Sequence, residues 1–228
     1  HTAALINLDR RYKKQIRQVN VEGTRNVCEE ALKAGVSKLV HFSSVDAFYR
    51  FPIEETLLED RKLIDDPNAV PYDLSKADGQ KIVMEFCEKG LDASIIHPTS
   101  IVGPNDFKPG LPMQEMVNLA NGKRKLLPNW GYNFVDVRDL SITAISAANK
   151  GRTGQNYIVG GEYHMYSYIA ELMKNQLGRT VLLGTIPNFV SYLGLPYEYI
   201  KSLVTGKPRV LTVCLLYTSP SPRDFTES

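Results

Sequence analysis

Lys38-Leu39-Val40-His41-Phe42-Ser43-Ser44 reads as a short strand running into a serine pair, and its neighbours decide the fold. Before it, Asn20 to Ala34 places Val27, Ala31, Leu32 and Ala34 near helical spacing, and Gly35 follows as a C-terminal stop. After it, Ala77 to Lys89 reads as a helix with Ile82, Val83 and Phe86 on its apolar side, closed by Gly90. Ala93-Ser94-Ile95-Ile96-His97 is the next buried strand and ends at Pro98. Strands alternating with helices at this spacing predict a parallel α/β sheet. Ligands of such sheets bind beyond the carboxyl ends of the strands, where Ser44, Pro98 and His1-Thr2-Ala3-Ala4 fall.

Between the two strands lies Val70-Pro71-Tyr72-Asp73-Leu74-Ser75-Lys76. If Tyr72 begins a helix, positions i and i+4 share a face, so the phenol and the Lys76 ammonium point into one pocket. The spacing alone carries no weight: with 12 Tyr in 228 residues, chance supplies such pairs, and Tyr197 with Lys201 is a second one. Only the first pair sits between a serine strand and a proline strand. Tyr197 follows Gly194-Leu195-Pro196 in an apolar stretch and reads as packing or surface.

His1-Thr2-Ala3-Ala4, Asn20-Val21-Glu22-Gly23-Thr24-Arg25-Asn26-Val27, Phe42-Ser43-Ser44, Tyr72-x3-Lys76 and His97-Pro98-Thr99-Ser100-Ile101-Val102-Gly103-Pro104 follow in order. Together with Asn133-Phe134-Val135-Asp136-Val137-Arg138-Asp139 they resemble the extended short-chain dehydrogenase/reductase family. The resemblance is to its branch of NAD-dependent epimerases and dihydroflavonol-4-reductase-like enzymes, over residues 1 to about 213. It implies a Rossmann-like doubly wound parallel sheet with a small C-terminal substrate-facing lobe. It assigns Tyr72 as acid/base, Lys76 as the lysine that binds the nicotinamide ribose and lowers the tyrosine pKa, and Ser44 as the carbonyl-polarising serine, with Ser43 as runner-up. Asn20 matches the asparagine that steadies the cofactor-side strand end. Thr2, Ala3 and Ala4 match small residues along the cofactor, NAD or NADP, and Pro98 begins the loop over the nicotinamide. His97 departs from the commoner Arg or Asn before that proline and receives no role.

A free tyrosine titrates near ~10, and a neighbouring cation can lower that by roughly one to three units, toward the range a general acid/base needs. The hydride itself has to come from a cofactor, because no side chain supplies one. The resemblance thus implies oxidation of a secondary alcohol or reduction of a ketone. A nucleotide-sugar epimerase would use the same Tyr and Lys, and a non-catalytic dinucleotide sensor is a third reading that the intact Tyr72, Lys76 and Ser44 oppose. The dehydratase subgroup carries Asp-Glu after the serine/threonine position, where this chain has Val45-Asp46.

No glycine-rich dinucleotide turn occurs in the chain, which reads as a fragment opening inside the fourth strand of a half-sheet. As such it is expected to bind NAD(P) weakly and to be inactive. From Cys214 the character changes abruptly; Leu215-Leu216-Tyr217-Thr218-Ser219-Pro220-Ser221-Pro222-Arg223-Asp224 looks like a translated transposon sequencing adapter, so 214–228 is set aside as an artefactual tail. The division expected is 1–104 for the dinucleotide-binding part and 105–213 for the substrate-facing lobe with returning sheet elements.

Composition, 43% hydrophobic and 23% charged with net charge +2, suits a globular protein and gives no sign of nucleic-acid binding. Arg10, Arg11, Lys13, Lys14 and Arg17 read as a solvated helix face. Before the tail only Cys28 and Cys87 occur, unpaired in spacing, which suggests a reducing cytoplasm and no metal. Residues 186–204 are apolar but are interrupted by Pro196, Glu198 and Lys201, short of a membrane span. The partner expected is a small carbonyl, alcohol or nucleotide-sugar substrate, with a homodimer in the full-length protein. Thr99, Ser100, Tyr132 and Asn133 are candidate substrate contacts.

Overall fold

A computed structural model describes residues 1–52, 55–128, 130–187 and 200. Tyr197, Lys201, almost all of the 186–204 stretch and the tail from Cys214 lie outside them. The elements in chain order are α1 (Lys13–Arg17), α2 (Gly23–Lys33), β1 (Leu39–Phe42), α3 (Pro71–Glu88), β2 (Ala93–Pro98), β3 (Ser100–Val102), α4 (Leu111–Ala120), β4 (Leu126–Pro128), β5 (Gly131–Asp136), α5 (Val137–Lys150), β6 (Asn156–Val159), β7 (Glu162–Met165), α6 (Tyr166–Leu177) and β8 (Gly184–Ile186). The chain divides into two compact units. His1–Thr99 with Val135–Gly160 forms the first; Ser100–Phe134 with the residues from Gly161 onward forms the second.

The first unit is built on three parallel strands in the order β1-β2-β6. All six residues of β2 are buried, as a central strand covered on both faces requires. On one face Val21, Cys28, Ala31 and Leu39 pack with Ile82, Val83, Phe86 and Ile95, which joins the apolar sides of α2 and α3 to the sheet. On the other, Ile96, Val135, Leu140, Ala147 and Val159 close the core beneath α5. The expected parallel α/β sheet is therefore present. Gly35 and Gly90 end the two covering helices with φ of +64° and +102°, a backbone that favours glycine.

Two expectations are modified. The segment expected as one helix from Asn20 is broken: a π-turn spans Gln18–Glu22 between α1 and α2. Its extra residue buries Asn20, 3% exposed. The opening residues form no strand of their own. His1 alone lies alongside β1, donating its amino group to Val40 O at 2.8 Å and accepting from Phe42 N at 3.1 Å.

The second unit holds the sheet β3-β5-β7 and the pair β4-β8. Its core is Leu119, Leu127 and Tyr166, with Met116, Tyr132, Ile169 and Met173 packed against them. Among the described residues no helix is long and apolar enough to cross a membrane.

Candidate active site

The serine strand and the tyrosine helix meet at the carboxyl end of β1. Pro71 occupies the first turn of α3, where its missing N–H costs nothing, and Tyr72 follows immediately. Ser44 accepts from Asp46 N at 3.1 Å, which caps a short turn over Val45–Ala47. The Ser44 side chain also stands close enough to the Tyr72 phenol to favour its ionised form. One helical turn on, Lys76 is 6% exposed; its Nζ stands 5.9 Å from the centroid of the Tyr72 ring and donates to Phe42 O at 2.9 Å. Tyr72, Lys76 and Ser44 are thus brought together.

Their electrostatics differ from the expectation. Burial pushes the Tyr72 phenol well above its ordinary 10, Asp46 pushes it further, and Ser44 only partly opposes them. Burial lowers the Lys76 ammonium to about 8. Each group is driven toward its uncharged form, the effect of a low-dielectric surrounding on an acid and a base alike. Lys76 lies over the ring and gives one donor to a carbonyl, and it is not among the groups that lower the tyrosine here.

Asn20 is bonded to the segment that follows His1-Thr2-Ala3-Ala4. Its Oδ1 accepts from Leu5 N at 2.7 Å, and its Nδ2 donates to Leu5 O at 3.0 Å and to Ser75 Oγ at 2.9 Å. Ser75 in turn donates to Tyr72 O at 2.6 Å, which links this segment to the tyrosine. Gly79 permits that approach, since a Cβ there would lie 3.2 Å from Asn20 O. Thr2 and Ala3 are exposed, Ala4 is half-buried, and Pro98 ends β2 in the interior. Ser43 Oγ is buried without a hydrogen-bond partner in the same region.

Several polar residues that the sequence left unassigned gather here. His97 is fully buried; its Nδ1 is 3.0 Å from Ser44 O and its Nε2 3.2 Å from Asn156 Oδ1, which also accepts from Gln80 Nε2 at 2.9 Å. His97 is therefore an anchor for Ser44. Arg50 pairs with Asp46 at 2.9 Å and with Asp73 at 2.8 Å. The i, i+4 charges of Asp46 and Arg50 were visible in the sequence; Asp73 as third member was not. His41, 3% exposed, has neither ring nitrogen bonded.

Other expected roles change. Asn133 exchanges bonds of 3.0 Å with Gly161, and Tyr132 packs against Tyr166, so both serve the second unit's own structure. The basic face is partly latched rather than simply solvated: Arg17 pairs with Asp78 at 2.8 Å, Arg11 with Asp9 at 2.7 Å, and Lys13 bonds Pro67 O at 3.3 Å.

The sequence profile of the NAD dependent epimerase/dehydratase family matches residues 1–160. The chain belongs to that family. Within it, the chain is 31% identical over 178 residues to sterol demethylase protein B of Methylococcus capsulatus, covering 78% of this chain and 54% of that protein. It is 26% identical over 188 residues to tetraketide alpha-pyrone reductase 2 of Arabidopsis thaliana, covering 77% of this chain and 59% of that one. The crystal structure of gox2253 superposes with a TM-score of 0.74 at 27% identity, covering 94% of this chain and 64% of that chain. A dTDP-glucose 4,6-dehydratase from Bacillus anthracis in complex with NAD shares the fold, with a TM-score of 0.66 at 22% identity over 76% of this chain and 57% of that one. The fold of this family member is thus the Rossmann-like α/β fold that its sequence implies. The chain spans little more than half the length of the relatives named.

Proposed function

We propose that this family member carries the proton-transfer site of an NAD(P)-dependent oxidoreductase acting on a ketone or secondary alcohol. The observation that carries the reading is the gathering of Ser44 and Lys76 around Tyr72 at the carboxyl end of β1, with Lys76 Nζ 5.9 Å from the centroid of the phenol ring. A Ser hydroxyl and a phenol side by side suit one carbonyl oxygen. Ser44, whose hydroxyl is turned to Asp46 Oδ2 at 3.3 Å, would rotate to that carbonyl oxygen and polarise it, and Tyr72 would deliver the proton as charge develops there. In the oxidative direction Tyr72 takes the proton back.

The residues present fit the nicotinamide-ribose half of the cofactor. Lys76 has donors beyond the one given to Phe42 O, and Ser43 Oγ is an unpartnered buried polar atom nearby in sequence. Lys76 would hold the ribose hydroxyls, with Asn20, Pro98 and residues 2–4 shaping the same end. NAD(P) when bound supplies the hydride chemistry. We further propose that the full-length protein acts in the cytoplasm as a homodimer, and that the first unit, which takes back Val135–Gly160 beyond the expected boundary at 104, is the cofactor-facing part and the second the substrate-facing part.

Tyr72→Phe in the full-length protein should lower turnover at least 100-fold, the usual worth of a general acid/base, while cofactor binding stays within twofold. Unchanged turnover would overturn the assignment. Sugar-nucleotide interconversion without net NAD(P)H consumption would replace the oxidoreductase reading with the epimerase one.

A further inference from the structure

We propose that Arg50 is a positioning residue of this site: its guanidinium ties Asp46 to Asp73 and thereby holds Ser44 against Tyr72. The inference rests on the reading of Tyr72 as the proton-transfer group. Three contacts carry it. Arg50 Nη2 lies 2.9 Å from Asp46 Oδ1 and 2.8 Å from Asp73 Oδ2, so one planar donor spans the turn after β1 and the first turn of α3. Asp46 is the residue whose N–H and carboxylate both meet Ser44 Oγ, at 3.1 and 3.3 Å. Asp73 adjoins Tyr72 in the chain and is 4% exposed; burial and then Asp46 push its carboxyl up to about 8, and Arg50, its described partner, opposes them.

The clamp also sets charge. Facing the phenol are Asp46 from the turn after β1 and Asp73 and Lys76 from its own helix, with Arg50 between the two carboxylates. From the sheet, His41 and His97 stand near Lys76. Above pH 8, where Asp73 too is ionised, two carboxylates and one guanidinium leave one net negative charge beside Tyr72. Removing Arg50 doubles it and disfavours the phenolate; removing the Asp46 charge cancels it and favours the phenolate. An arginine remote from the phenol would give no such opposite signs.

The test is the ionisation of Tyr72 followed by 13Cζ-tyrosine NMR, beside the pH profile of alcohol oxidation. Arg50→Ala should move the titration of Tyr72 and the alkaline rise of kcat/KM upward by about one unit, and Asp46→Asn should move both downward by about one. Arg50→Lys should return most of the Arg50→Ala shift, and it carries the sign test together with Asp46→Asn if Arg50→Ala does not fold. Titration of Tyr72 at the wild-type position in Asp46→Asn and in the Arg50 variants overturns the clamp. If the NMR order holds but no form of the protein turns over an alcohol or ketone, the clamp stands and the oxidoreductase reading falls.

Discussion

The two units solve the problem of an interior in opposite ways. Among the described residues, every buried Asn, Asp, Gln, His, Lys, Ser or Thr belongs to the first unit: Asp9, Asn20, Thr24, His41, Ser43, Ser44, Asp73, Ser75, Lys76, Gln80, Ser94 and His97. The second unit buries Leu119, Leu127, Phe134, Tyr166, Ala170 and Val181, and the Tyr166 hydroxyl is bonded to Pro112 O at 3.0 Å. Burying polar groups is costly unless each finds a partner, and an unpaired one costs roughly 1–3 kcal/mol. An interior built for stability alone would look like the second unit. The first keeps an ammonium, two imidazoles and the carboxyl groups of Asp9 and Asp73 inside. That asymmetry is what separates a scaffold from a site.

If the contrast is real, substitutions in the two interiors should answer pH differently. Leu119→Ala, at a fully buried position of the second unit, should cost about 2–5 kcal/mol by loss of transfer energy and by cavity formation, equally at pH 5 and pH 8. Chemical denaturation at both pH values checks it, and a pH-dependent loss would break the comparison. His41→Phe in the first unit should do the reverse. Burial lowers the His41 imidazole from its ordinary 6.5 to about 3, with the neighbouring positive groups Lys76, the His1 amino group and His97 adding to the effect. Above pH 6.5 the ring is neutral in both folded and unfolded chains. As pH falls from 6.5 toward 3 the unfolded chain alone takes the proton, so stability is lost across that window. His41→Phe should therefore gain about 1 kcal/mol at pH 7, from removal of two unbonded nitrogens, and about 3.5 kcal/mol at pH 4.5. Acid-unfolding curves that superpose on the wild type would sink it.

The same contrast explains what could be read beforehand. Strand, helix and glycine stop recur with a period that needs only hydrophobic pattern, so the β1-α3-β2 core and the ends at Gly35 and Gly90 were legible. Tyr72, Lys76 and Ser44 were legible because their flanks fix their elements. Arg50–Asp73 was not, since an ion pair across 23 residues leaves no periodic trace. Nor was the π-turn that buries Asn20: one extra residue per turn changes no residue type. The direction of the Tyr72 shift was misjudged for a related reason. Spacing shows which charges are near, while desolvation depends on everything packed around them.

The smallest effect is the most telling, because it pits stability against function within one side chain. Burial holds the Lys76 ammonium at about 8 instead of 10.5. Between pH 8 and 10.5 the unfolded chain keeps the proton and the folded chain has shed it, so stability rises with pH through that window. Below pH 8 the whole cost of the buried charge is present, roughly 3 kcal/mol for a shift of this size. Lys76→Met keeps length and apolar contact but removes the charge, and forfeits about 1 kcal/mol with the bond to Phe42 O. The variant should be more stable than the wild type at pH 7 by about 2 kcal/mol, and the advantage should vanish above pH 10.5. It should also lose turnover in the full-length protein. Thermal denaturation from pH 6 to 10.5 follows the first part. A variant that is less stable at pH 7, or whose stability runs parallel to the wild type across the alkaline range, would mean that Lys76 is held for packing; a gain in stability with loss of turnover means it is held in spite of it.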